Sequence, residues 1–271
     1  MTDAANPDAV WRTLATIRAQ APLVHNITNL VVANSTANAL LAVGASPAMV
    51  EGSDEVEEFA AAAAELVINL GTMTADRAAA IRLAVTAANA AGKPWTLDPV
   101  AVGAIGYRTG LARALLGRRP AAIRGNPSEI LSLAGGSGGG KGVDTDTGSE
   151  AALEAARRLA ARVGTTVAVT GATDYVTDGA RTVAIRNGHP MMTRVTGLGC
   201  TATAIVGACL AVERDALAAT AHGLAIVGIA GEIAAERARG PGSLQLELID
   251  ALYLLDEVTL TRRVRVDAAG S

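Results

Sequence analysis

Aromatic side chains are nearly missing from this chain of 271 residues, which has one Phe, three Tyr and two Trp. Binding of single-stranded nucleic acid by base stacking has almost nothing to build on. Excess positive charge is missing too: 23 Lys and Arg stand against 26 Asp and Glu, scattered along the chain, for a formal net charge of −3. No basic face for a phosphate backbone is expected, which sets nucleic acid aside as a partner. Cysteine is scarce, and Cys200 and Cys209 fall in one apolar stretch. They cannot supply a disulfide framework, and the usage fits a reducing compartment, the cytoplasm. The opening MTDAANPDAVWRTLATIRAQ is acidic early and has no apolar core segment, so neither a signal peptide nor an anchor is expected. The longest uncharged stretch, Val195 to Val212, opens on a glycine turn and is rich in Gly, Ala and Thr, as a buried helix would be; no membrane partner is expected. His25, His189 and His222 lie far apart without metal-ligand spacing, which argues against a zinc site.

Half of the residues are hydrophobic, enough for one large core, so a single domain over residues 1–271 is expected. Short apolar runs alternate with Ala-rich helical stretches, the pattern of a mostly parallel sheet covered by helices on both faces. Strands are predicted near Leu23–Asn26, Ser46–Val50, Leu66–Asn69, Trp95–Leu97, Ala121–Ile123 and Thr166–Val169. Between them, Leu30–Ala42, Val56–Ala64, Thr74–Ala91, Leu111–Leu116, Ser128–Ala134 and Ser149–Arg162 have helix-forming composition. The turn dipeptide Asp178-Gly179 between Asp174–Thr177 and Thr182–Ile185 predicts a β-hairpin at the edge of the sheet. Three long helices follow over Cys200–Val212, Ala216–Arg239 and Leu244–Thr259, and the Arg-rich tail from Thr261 is expected to fray.

The glycine-rich Gly135–Gly142 satisfies all but the last position of a phosphate-binding P-loop, where Gly142 stands in place of a magnesium-binding Ser or Thr. It also follows a helical stretch rather than a strand, so it reads as a flexible loop. Its Gly-x-Ser-x-Gly lacks the preceding strand of a nucleophile elbow. In open parallel sheets ligands bind beyond the carboxyl ends of the strands. His25-Asn26 with Thr28-Asn29, the Gly44–Pro47 corner leading to Met49, Asn69 to Thr72, Asp98-Pro99, Arg124 to Asn126 with Glu129, and Thr170-Gly171 all punctuate apolar runs there. Turn and cap chemistry would account for any one of them; together they line one rim. Asp98, Glu129 and Arg124 suit a Mg-bound polyphosphate, and equally a structural ion pair. The turn Thr196-Gly197-Leu198-Gly199 delivers N–H groups at a helix start, where charge on a transferring phosphoryl group could be held. The same field would lower the Cys200 pKa and let it accept a proton, although a small buried Cys would look the same.

The segments HNITNLVVANSTANALLAVGASPAMV (25–50), INLGTM (68–73), LDPVAVGA (97–104), IRGNPSEI (123–130), GVD (142–144), VTG (169–171), VTGLGCTA (195–202) and GPGSLQLELIDALY (240–253) resemble the hydroxyethylthiazole kinases, a ribokinase-like family. The resemblance covers about residues 12–260 in the family's order and spacing. It implies a three-layer α/β/α fold and ATP-dependent phosphorylation of the primary hydroxyl of 4-methyl-5-(2-hydroxyethyl)thiazole in thiamine salvage. It further implies Mg2+ as cofactor and a homotrimer with thiazole pockets at subunit interfaces. Met49 and Gly197 match thiazole-contacting positions, with Asn26 close by; Arg124 and Thr170 match ATP contacts; Asp98 and Glu129 match acidic positions associated with Mg2+. Cys200 stands where most ribokinase-like kinases carry a catalytic Asp, an exchange that sets the chain apart from sugar kinases and from nicotinamide-nucleotide-hydrate dehydratases. A catalytically dead binding protein would be expected to have lost Asp98, Arg124 or Glu129, and all three are present.

Overall fold

The structure, a computed structural model, describes residues 3–135 and 148–269; the glycine loop beyond Gly135 and the GVD motif lie outside the described residues. In chain order the first half runs α1 (Pro7–Gln20), β1 (Leu23–Ile27), α2 (Ala33–Val43), β2 (Ser46–Ala48), α3 (Val56–Ala62), β3 (Glu65–Asn69), α4 (Ala75–Ala90), β4 (Trp95–Asp98), α5 (Gly106–Leu116), β5 (Ala122–Gly125) and α6 (Pro127–Ala134). The second half runs α7 (Leu153–Val163), β6 (Thr166–Val169), β7 (Asp174–Thr177), β8 (Thr182–Ile185), α8 (Leu198–Leu210), α9 (Ala216–Arg237), α10 (Pro241–Leu254), α11 (Glu257–Arg263) and β9 (Val266–Ala268). One nine-stranded sheet has the order β2-β1-β3-β4-β5-β6-β7-β8-β9. Strands β1 to β6 pair in parallel, and β7, β8 and β9 continue antiparallel.

Successive side chains of a strand point to opposite faces, and two cores follow from that alternation. Val67 and Ala168 join the residues of α1, α2, α8, α9 and α10, whereas their neighbours Leu66, Ile68, Val167 and Val169 join those of α4, α5, α6 and α7. Strands β3, β4 and β6 are buried along their whole length, as a sheet covered on both sides requires. Each Leu or Ile placed there contributes on the order of 2 kcal/mol through burial. The three-layer arrangement expected from the sequence is the one observed.

The structure corrects three expectations. The hairpin Asp174–Thr177 and Thr182–Ile185 forms over the predicted strands but is not the edge, because β9 pairs with β8 outside it. The tail from Thr261 is therefore not frayed: α11 is capped by Asp256, whose carboxylate accepts from Thr259 N–H at 2.7 Å, and the chain then enters the sheet. The last long helix also breaks between Leu254 and Glu257, where Asp256 starts the new cap. Helix α1 was not among the predicted elements, although Asn6 caps it and Pro7 occupies its first turn. Helix α9 is long and apolar enough to cross a membrane, but 83% of its most apolar window is buried within the fold, as a core helix would be.

Glu65 is wholly buried on β3; Oε1 accepts from Thr96 Oγ1 at 2.7 Å and Oε2 has no partner. Burial pushes its carboxyl up to about 8. A raised acid favours the folded state while protonated, so this contribution is intact below about pH 4.5 and is lost as pH rises toward 8. Glu65→Gln is expected to remove that slope, gaining about 1 kcal/mol relative to wild type per pH unit across the window. Denaturant titrations at pH 5, 6.5 and 8 would show it, and parallel pH dependences in the two proteins would contradict it.

Candidate active site

Five neighbouring strands end on one rim and deliver polar side chains there. Asn69 and Asp98 close β3 and β4, Arg124 lies near the end of β5, Thr170 follows β6, and Asn29 follows β1. The first turn of α8 comes down on this rim from the other side of the chain. Gly197 makes the approach possible: its φ is +82°, and a Cβ there would lie 2.2 Å from Val32 Cγ1, so the helix start abuts the corner between β1 and α2.

At the centre Asp98 is 1% exposed. Its Oδ2 accepts from Asn69 Nδ2 at 2.8 Å and Thr203 Oγ1 at 2.9 Å. Burial raises its carboxyl, against the opposing pull of the Arg124 charge and these donors. Glu129 is the third helical residue of α6 and completes a capping box: Asn126 Oδ1 accepts from Glu129 N–H, and Glu129 Oε2 accepts from Asn126 N–H, both at 2.9 Å. Its Oε1 accepts from Ala101 N–H at 2.9 Å, and burial followed by the Asp98 charge raises its carboxyl. The helix cap and the acidic site thus share one side chain.

Arg124 Nη2 donates to Thr170 Oγ1 at 2.6 Å, and its buried Nε has no partner. Among the described residues it forms no ion pair with Asp98 or Glu129, so the structural-pair reading of the three falls away. Arg124 and Thr170 line a cleft of about 700 Å³ together with Asn126, Gly197 and Gly199, with Met192, Leu224 and Val227 as an apolar wall. A nucleotide needs such a combination of charged and apolar walls. Asp174, missed in the sequence, opens onto the same cleft: its Oδ1 accepts from Gly171 N–H at 2.8 Å, and burial lifts its carboxyl to about 6.

Cys200 departs from expectation. Rather than being lowered by the helix start, its thiol is pushed up to about 11, first by burial and then by the Asp98 charge. These outweigh the amide donors of Asn69 and Asn29, which favour the thiolate. Asn26 is 1% exposed, its Nδ2 donates back to Val24 O at 2.9 Å, and its Oδ1 is unpartnered. Met49, just past β2, is half-buried. Neither residue lines the cleft, whereas Gly197 does. His25 Nε2–H donates to Val50 O at 2.8 Å, burial lowers its ring pKa, and its Nδ1 has no partner. Thr203 had no usable signal, because a Thr inside an apolar helix reads as small core.

A sequence profile of the Hydroxyethylthiazole kinase family matches residues 14–258. A hydroxyethylthiazole kinase of Granulibacter bethesdensis is 64% identical over 263 residues, covering 95% of this chain and 96% of that protein. The solved hydroxyethylthiazole kinase protein of Pyrococcus horikoshii OT3 superposes with a TM-score of 0.90 at 42% identity, covering 97% of this chain and 100% of the other. A ribokinase-like superfamily protein of Enterococcus faecalis V583 shares the fold, with a TM-score of 0.62 at 13% identity over 85% of this chain and 86% of its own.

Proposed function

We propose a course for the reaction from one premise: this chain belongs to the hydroxyethylthiazole kinase family, and it phosphorylates hydroxyethylthiazole in thiamine salvage. The observation that carries the proposal is the meeting of Arg124 and Thr170 with the first turn of α8 beside Asp98. ATP occupies the cleft, with its phosphates toward Arg124 and Thr170, and the thiazole alcohol approaches from the side of Gly197 and Met49. The alcohol oxygen bonds to the γ-phosphorus, the bond to the β,γ-bridging oxygen breaks, ADP leaves, and the alcohol's proton passes late to an oxygen of the transferred phosphoryl group and from there to water. Arg124 and the N–H groups at the start of α8 hold the charge on the transferring group.

Asp98 and Glu129 fit a Mg2+ ion. Both are hard oxygen donors, and Glu129 is raised first by burial and then by the Asp98 charge beside it, a like-charge crowding that a cation would relieve. When bound, the ion would neutralise phosphate oxygens during transfer. Pushed up to about 11 by burial and then by the Asp98 charge, the Cys200 thiol stays protonated near neutral pH. Cys200 therefore acts as a hydrogen-bonding partner of the alcohol, which a loose phosphoryl-transfer transition state tolerates because little proton removal is needed early. Cys200→Ala is expected to lower kcat about tenfold without abolishing turnover, and Cys200→Asp to retain or raise it. Complete loss in both variants would contradict this role.

Leu30 and Val31 are 72% and 62% exposed at the corner that Gly197 abuts, which supports a homotrimer with the thiazole pocket at the subunit interface. Light scattering at the mass of a single chain would remove that shared pocket. Free Cys200 and Cys209 support a cytoplasmic location. The test of the reaction is coupled ADP release with Mg-ATP, comparing hydroxyethylthiazole, hydroxymethylpyrimidine and ribose. Thiazole-dependent release is expected, and release independent of the thiazole would overturn the acceptor assignment.

A further inference from the structure

Two buried side-chain amides join the Cys200 thiol to the Asp98 carboxylate, and their orientation is fixed at both ends. Asn29 Oδ1 accepts from Val31 N–H at 3.0 Å, which turns Nδ2 inward; there it donates to Asn69 Oδ1 at 2.9 Å and lies 3.4 Å from Cys200 Sγ. Asn69 Oδ1 accepts in addition from Gly71 N–H at 2.9 Å, which turns its own Nδ2 onto Asp98 Oδ2 at 2.8 Å. A carboxylate can only accept, so Asp98 imposes the same orientation from the far end. The chain of donors has one direction: both hydrogens of Asn29 Nδ2 are committed, and one of Asn69 Nδ2 goes to Asp98. Cys200 Sγ receives a donor, so its single S–H is left to face the reacting alcohol or Asp98. Packing preserves the arrangement, since a Cβ on Gly71 would lie 2.6 Å from Asn29 Cβ.

We propose that Asn29 and Asn69 are positioning residues for phosphoryl transfer, forming a polarised amide relay that holds Cys200 and Asp98 in register with each other. The inference rests on the roles given above to those two residues. Neither amide lines the nucleotide cleft, so the relay acts on the geometry of the transfer and not on ATP binding.

Asn29→Ala and Asn69→Ala are expected to lower kcat about tenfold while KM for ATP and for the thiazole stays within about twofold. Gly71→Ala keeps every relay group and displaces Asn29, so it should show the same kcat-only loss; it also serves if the truncations fold poorly, with thermal unfolding recorded for each variant. Coupling to the thiol is read in the Cys200→Ala background, where adding Asn29→Ala should cost less than about threefold. If Cys200→Ala alone proves silent while the Asn29 and Asn69 variants still lose kcat, the relay stands on its Asp98 arm and the role given to Cys200 fails. Unchanged kcat in Asn29→Ala, Asn69→Ala and Gly71→Ala, or losses appearing in KM instead, would overturn the relay whatever Cys200 does.

Discussion

Arg124→Ala should lower kcat/KM by about a hundred- to a thousandfold, raise KM for ATP, and leave the unfolding temperature within a few degrees of wild type. Four acids or potential acids feel this one guanidinium: Asp98, Glu129, Asp174 and Cys200 are each pulled toward their charged forms by it. Without it the carboxyls, already raised by burial, would rise further and stay protonated to higher pH. The acidic limb of the pH–activity profile should therefore move upward in the variant. Arg124→Lys should recover little, because an ammonium cannot span Thr170 Oγ1 and the start of α8 as a planar fork does. Steady-state kinetics across pH would decide it; an unchanged KM for ATP would remove Arg124 from the nucleotide site.

Gly199→Ala separates activity from stability. Gly199 lies in the first turn of α8, where alanine is the better helix former by about 1 kcal/mol, so the unfolding temperature should hold or rise. A Cβ there would nevertheless lie 2.5 Å from Arg124 Nη1 and 3.0 Å from Nη2. The guanidinium must move, and kcat/KM is expected to fall about ten- to a hundredfold, since small misplacements in a transfer site are costly. Wild-type kinetics in this variant would show that Arg124 need not sit against the helix start.

Much of the frame was legible because its signals are local. Thr166–Val169 has its predicted bounds, and each rim residue sits at a strand end where an apolar run meets Asn, Asp, Arg or Thr. Strand β9 was not legible, because only Val266 of its three residues is buried and its partner β8 lies some eighty residues earlier. Helix α1 had readable signals in Asn6, Pro7 and the spacing of Val10, Leu14 and Ile17, which share one buried face. The Cys200 thiol was misjudged for a related reason. A helix start is visible in the sequence, but only the fold buries the sulfur and sets the Asp98 charge, about a hundred residues earlier in the chain, beside it. Glu129 could be read both as an N-cap partner of Asn126 and as a site acid, and the structure assigns it the cap without removing it from the site.

The sheet ends on both sides in strands of three residues, β2 with Pro47 at its centre and β9 with Asp267 at its centre. A proline has no N–H to offer a newcomer, and a charge on an edge resists being stacked against its own copy. For a sheet of nine strands among the described residues, this leaves little backbone on which a second molecule could template a continuing ribbon. Resistance to fibrillar aggregation is thus written into the two shortest strands rather than into the core.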